Sequence, residues 1–93
     1  MQFLAIMRRR TEAFPEEEFA KRLDAEAQRV SELYAEGFIR SAWSRNDVLG
    51  ACLLLEAAAA EDCEAKLKTL PLHEAGMLEA QIIPLRGYRG FCP

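Results

Sequence analysis

The sequence predicts an α+β domain built in the order strand, helix, strand, strand, helix, strand. Two kinds of pattern lead there. Short apolar runs recur at residues 2–7, 38–45, 51–57 and 79–85, each bounded by charges or turn residues. Between them lie two stretches whose apolar residues repeat every three or four positions, as on one face of a helix. Ninety-three residues make a single domain, spanning residues 1–93. Chains this short have modest cores and often gain stability by association.

The first strand is QFLAIM, residues 2–7, followed by Arg8-Arg9-Arg10, which reads as a solvated loop. Phe14-Pro15 opens a helix, because proline's missing N–H costs nothing in the first turn. Glu16, Glu17 and Glu18 then sit at the positive end of the helix dipole. Phe19, Leu23, Ala27, Val30 and Tyr34 form its apolar stripe, and Gly37 supplies the left-handed cap that ends it.

The second strand covers residues 38–45. Regular alternation puts Phe38, Arg40, Ala42 and Ser44 on one face, with Ile39, Ser41, Trp43 and Arg45 on the other. Arg40 and Trp43 then share a pocket only if a bulge or the strand end intervenes. Asn46-Asp47 and Gly50 supply turn chemistry, and ACLLLEA, residues 51–57, returns as a hairpin partner. A second helix is expected from about residue 59 to 70, with Cys63, Leu67 and Leu70 inside and Pro71 stopping it. EAQIIPL, residues 79–85, is the last strand; RGYRGFCP is a tail with two aromatics to bury.

That order is the ferredoxin-like split βαβ pattern: a four-stranded antiparallel sheet with two helices on one face. Right-handed crossovers put both helices on the same side. A sheet with one solvated face should alternate apolar and polar residues, yet FLAIM, ACLLL and IIPL are apolar on both faces. The economical cover for the second face is another copy of the same sheet, giving an obligate homodimer that can serve as the building block of a larger homo-oligomer.

Composition narrows the function classes. A formal net charge of −3, with one short basic cluster, argues against nucleic acid as partner. No apolar run approaches the roughly 20 residues of a membrane helix. The opening MQFLAIMRRR carries its charges after the apolar stretch, the reverse of a secretory signal, so a cytoplasmic protein is expected. Cys52, Cys63 and Cys92 lack metal-like spacing, and Cys52 and Cys63 read as small buried hydrophobes. One histidine makes a histidine-based metal site improbable within one chain, and glycine-rich phosphate loops are absent. No cofactor and no metal are expected.

With Glu36-Gly37 at a helix end, Arg40 and Trp43 on the next strand, Leu70-Pro71-Leu72 after the second helix, and Phe3 and Met7 on the first strand, the chain resembles the muconolactone isomerase family. The resemblance covers most of the chain. It implies the dimeric α/β-barrel architecture, two ferredoxin-like units joined sheet to sheet. It further implies cofactor-independent proton transfer on a small unsaturated lactone or carboxylate. Such chemistry needs a base, a donor for the developing enolate-like charge, and a cation to grip a substrate carboxylate. The chain departs from established members where they carry a histidine and a lysine on the first strand, here the apolar Leu4-Ala5-Ile6. A further histidine position is Ser41, and the arginine after Trp43 is displaced to Arg45, beyond Ser44.

The residues left to carry the chemistry are few. His73 titrates near neutrality, and Glu74 and Glu79 are its nearest carboxylates; these three are the candidate acid–base groups. Arg40, Trp43 and Arg45 are the candidate substrate-binding groups, with Arg40 favoured over Trp43 for the cavity. Each also has a plain structural reading: a loop histidine, exposed carboxylates, an interface tryptophan, a solvated arginine. The function expected is a muconolactone isomerase-like enzyme. Its alternatives are a cofactor-free monooxygenase of the same superfamily, or a non-catalytic small-molecule-binding or assembly protein.

Overall fold

The computed structural model describes residues 1–91, so Cys92 lies outside the described residues. In chain order the elements are β1 Gln2–Arg9, α1 Glu16–Ala20, α2 Leu23–Ala35, β2 Ile39–Ser44, β3 Gly50–Glu56, α3 Ala60–Leu67, α4 Pro71–Glu74 and β4 Leu78–Pro84. All strand pairings are antiparallel, and the sheet order is β2-β3-β1-β4. This is the split βαβ topology the sequence predicts, with the first and last strands adjacent and β2 at an edge.

Alternation sorts the sheet into two faces. Phe3, Ala5 and Met7 of β1 pair with Leu55, Leu53 and Ala51 of β3 and point toward the helices. They join Phe19, Leu33, Phe38, Ile39, Cys63, Leu67, Leu70, Leu72 and Met77 in one buried core. The opposite face carries Leu4 and Ile6 of β1, Cys52 and Leu54 of β3, Trp43 of β2 and Ile83 of β4. None of these is fully buried, and Trp43 is 55% exposed. The two-sided apolar character read from the strands is therefore present, and the described residues cover one side of it. Cys52, expected to be buried, sits half-exposed on the uncovered face.

Each crossover contains two helices rather than one. In the first, a turn at Lys21 and Arg22 separates α1 from α2. Phe19 can then drop into the core beneath Phe14, an edge-on pair with centroids 6.3 Å apart. The turn also rotates α2, so its inner face runs through Glu26, Val30 and Leu33, while Leu23 and Tyr34 from the expected stripe are exposed. In the second crossover Pro71 opens α4 instead of ending the helical path. It forces Leu70 into extended backbone (φ −69°, ψ 127°), which ends α3's turn, and its own fixed φ suits the first position of α4.

Gly37 and Gly76 close α2 and α4 by the same device. Both have positive φ, 88° and 74°. Phe38 N–H donates to Leu33 O at 3.0 Å and Gly37 N–H to Tyr34 O at 3.0 Å. Met77 N–H donates to Leu72 O at 2.9 Å and Gly76 N–H to His73 O at 3.0 Å. These are Schellman caps, and each brings together a buried apolar pair, Phe38 with Leu33 and Met77 with Leu72.

Strand β2 is irregular at Arg40. Ile39 pairs with Leu55 and Ser41 with Leu54, so two steps on β2 match one on β3 and Arg40 is the extra residue of a bulge. Beyond the bulge the parity of the strand is reversed. Trp43 pairs with Cys52 on the uncovered face, while Ala42 and Ser44 pair with Leu53 and Ala51 on the helix face.

Candidate functional site

The arginine run after the first strand is not a loop. β1 continues through Arg9, and alternation sends Arg8 and Arg9 to opposite faces. Arg8 lies on the uncovered face, donating to Glu12 at 2.9 Å and Glu79 at 3.3 Å. Arg10 donates to Gly76 O at 2.9 Å and lies over the Phe14 ring. Arg9 faces the helices, its guanidinium carbon 5.7 Å from the Phe19 ring centroid. Among the described residues the Arg9 side chain takes part in no ion pair and donates no hydrogen bond. A half-buried guanidinium with all its donors unused is a standing site for an anion.

Opposite Arg9, on the inner face of α2, stands Glu26. One of its carboxylate oxygens, Oε1, accepts a hydrogen bond of 2.9 Å from Leu72 N–H. That N–H belongs to the first turn of α4 and has no partner within the helix, which is why a carboxylate can hold it. Glu26 lines a cleft together with the apolar Met7, Val30, Leu53, Leu72 and Leu78. Burial pushes its pKa above the ordinary carboxylate range, against the opposing influence of the Leu72 N–H and the Arg9 charge. A carboxyl tuned upward by burial is a stronger base than an ordinary glutamate and is suited to take and return a proton.

Between the helix layer and the end of the sheet is a cleft of about 170 Å³, lined by both Arg9 and Glu26 together with Ser44, Gly50 and Ala51. Gly50 is required there by space. A Cβ at that position would lie 2.1 Å from Met7 O, so only glycine lets β3 approach β1 at the cleft floor. Arg9 also lines a second, larger space of about 460 Å³, walled by Phe14, Pro15, Phe19 and Leu49 with Thr11 and Glu16 at its edge. The loop between β2 and β3 is tied over this region by Arg9 N–H donating to Leu49 O at 2.8 Å.

The residues singled out in the sequence fall in two separate regions. Trp43 and Glu79 share the uncovered sheet face. Arg45 joins Ile6, Arg8, Glu79 and Gln81 around a groove of about 280 Å³ near one end of the sheet. Its guanidinium is already held by Asp47 at 2.9 and 2.6 Å, which keeps the Asp47 carboxyl at about 2. Arg40 is exposed at the bulge. His73 and Glu74 lie on α4, in the helix layer. Glu74 is exposed; His73 is half-buried, its Nδ1 shut from solvent without a partner, and burial pushes its pKa down. The sheet thus separates His73 and Glu74 from Glu79, Trp43 and Arg45.

Sequence reasoning missed Arg9 and Glu26. Arg9 was concealed by two flanking arginines of the same type. Glu26 has no local mark at all, although its place on the face shared with Val30 and Leu33 offered a signal once the helix phase was right. Among the described residues no cluster of three or more His, Cys, Asp or Glu could hold a metal ion, and no helix is long and apolar enough to cross a membrane.

Comparison with known proteins adds lineage to this geometry. A family model described as muconolactone delta-isomerase matches residues 1–90. The fold is similar to that of 5-chloro-2-hydroxyhydroquinone dehydrochlorinase from Burkholderia phenoliruptrix AC1100, solved in complex with 2,5-dihydroxybenzoquinone. The TM-score is 0.71 at 18% identity, covering 97% of this chain and 98% of that one. No curated protein sequence matches the chain significantly.

Proposed function

The chain belongs to the muconolactone delta-isomerase family, whose membership supports an isomerase-type catalytic role, and from that premise we propose that it moves a proton within a small unsaturated lactone or carboxylate in the cleft between helices and sheet. In this reading Arg9 grips the substrate carboxylate or carbonyl oxygen. The Glu26 carboxylate removes an activated proton from carbon, the electron pair moves toward the carbonyl oxygen, and the negative charge gathers beside Arg9. The protonated Glu26 then returns the proton to a different carbon of the conjugated system, completing an isomerisation with no net change in composition. Ser44 is the nearest hydroxyl lining the cleft and can donate to the same oxygen.

One observation carries the proposal: Arg9 and Glu26 line the same cleft without pairing to each other, one with unused donors and the other with a raised pKa. The test is steady-state turnover of muconolactone and related unsaturated lactone acids. Glu26→Gln keeps an oxygen for Leu72 N–H but cannot accept a proton, and should lower kcat by about 10²–10⁴-fold. Arg9→Ala should raise KM and also lower kcat, because Arg9 both grips the substrate and faces the charge that develops. A Glu26→Gln enzyme turning over at the wild-type rate would overturn the assignment.

A second reading uses the uncovered sheet face. Its support is the apolar set Leu4, Ile6, Leu54, Trp43 and Ile83, which a second copy would bury in a two-fold dimer closing a barrel between the sheets. Arg40, Trp43, Arg45 and Glu79 would then border the barrel interior, with Glu79 as its acid–base group. Arg8 and Arg45 are already committed to Glu79 and Asp47, however, so that face offers a substrate anion less unused charge than Arg9 does. The dimer is retained as part of the proposal, with the chemistry on the helix side. His73 and Glu74 lie on the short helix whose first turn holds Glu26, but neither lines the cleft, and the acid–base role passes to Glu26. A cytoplasmic setting accords with this small-acid chemistry.

A further inference from the structure

The space beside the proton-transfer cleft is larger than the cleft itself, and its walls are of a different kind. The cleft holding Arg9 and Glu26 is about 170 Å³, below the roughly 300–1,000 Å³ of pockets that enclose larger ligands. The adjoining space is about 460 Å³ and meets the cleft at Arg9. Phe14 and Phe19 stand edge-on at 80°, with Pro15 and Leu49 completing an apolar wall. A guanidinium already lies over each ring, Arg9 over Phe19 and Arg10 over Phe14, so Phe14, Pro15 and Leu49 are the more exposed apolar parts of the wall. Leu49 is 59% exposed, an apolar side chain held over the opening by its backbone bond to Arg9.

We infer that the natural substrate is an unsaturated carboxylate or lactone bearing a neutral aryl or similarly bulky apolar group, with the acidic head on Arg9 and the apolar group in the Phe14–Leu49 compartment. Arg9 suits the junction because its guanidinium, one face of which lies over the Phe19 ring, presents in-plane donors that can bind an anion. Phe14 and Leu49 are then specificity-determining residues. This inference rests on Arg9 and Glu26 being the site proposed above, but it makes a claim about binding that does not depend on turnover.

The experiment compares two probes sharing one α,β-unsaturated carboxylate head: cinnamate, which carries a phenyl ring, and crotonate, which carries a methyl group. Binding to the full chain is measured by titration calorimetry, and the readout is the ratio of the two Kd values. Cinnamate should bind at least about tenfold more tightly. Leu49→Trp, at an exposed position where folding is not at stake, should fill the compartment and bring the ratio close to one. Phe14→Leu should reduce it in part. A wild-type ratio near one, or a ratio unmoved by Leu49→Trp, overturns the inference even if small lactones are isomerised. Preferential cinnamate binding that Leu49→Trp abolishes supports it, even if Glu26→Gln shows the isomerase reading to be wrong.

Discussion

Because burial raises the folded-state pKa of Glu26, the native chain holds this proton more tightly than the unfolded chain does, and the sign of its stability contribution follows. The contribution is best below the unfolded carboxyl pKa and worsens as pH rises through that value and then through the folded one. Glu26→Gln removes the cost of a buried charge, so its melting temperature at pH 8 should exceed that of the wild type. The gap should close as pH falls into the carboxyl range; calorimetry across pH 4–8 checks both. A less stable Glu26→Gln protein at pH 8 would mean that the fold favours the charged form. In kinetics the same group should give kcat/KM an acidic limb with its midpoint above the roughly 4.3 of a free glutamate. Gly50 is the other residue on which the cleft depends. Gly50→Ala drives a methyl into Met7 O and should cost about 1–3 kcal/mol in denaturant unfolding. Neither residue announces itself in the sequence. Glu26 is one of fifteen acidic residues, and only burial, a property of the folded chain, separates it from its neighbours. His73 attracted notice through its ordinary pKa, but its position on α4 is set by tertiary packing that the sequence does not display.

At the scale of elements, local chemistry was readable wherever one residue type has one physical use. The strands, the hairpin and the Gly37 cap were all legible for that reason. Gly37→Ala should cost about 1–2 kcal/mol, since φ of +88° strains any side chain even though a Cβ there meets nothing within 4 Å. Equal stability of Gly37→Ala would show that the cap relaxes to another conformation. What escaped were features that depend on register or phase. The break at Lys21 and Arg22 contains no glycine or proline, and it rotates α2 enough to replace Tyr34 by Leu33 in the core. The bulge at Arg40 likewise has no signature residue. It changes which face Ala42, Trp43 and Ser44 occupy, and so puts Ser44 in the cleft with Arg9 and Glu26. Pro71 shows that one residue can end one helix and begin the next.

At the scale of the whole molecule, the sheet has one face sealed by its own helices and another that is not. The apolar pattern on both faces was visible in FLAIM, ACLLL and IIPL, because strand alternation is a rule of backbone geometry and needs no tertiary knowledge. Leu54 lies central on the uncovered face, paired with Leu4 and Ser41. Leu54→Glu should convert a sedimenting dimer into a monomer with unchanged circular dichroism, whereas a wild-type monomer at micromolar concentration would remove the case for sheet-to-sheet association. The catalytic account does not rest on that interface, because the cleft is lined by Arg9 and Glu26 of one chain. It is tested most directly by following muconolactone by NMR in D2O. The wild type should deplete the signal of the activated carbon-bound hydrogen, by transfer to another carbon or by exchange with solvent, and Glu26→Gln should not; equal depletion by both proteins would contradict the assignment of Glu26 as the group that moves the proton.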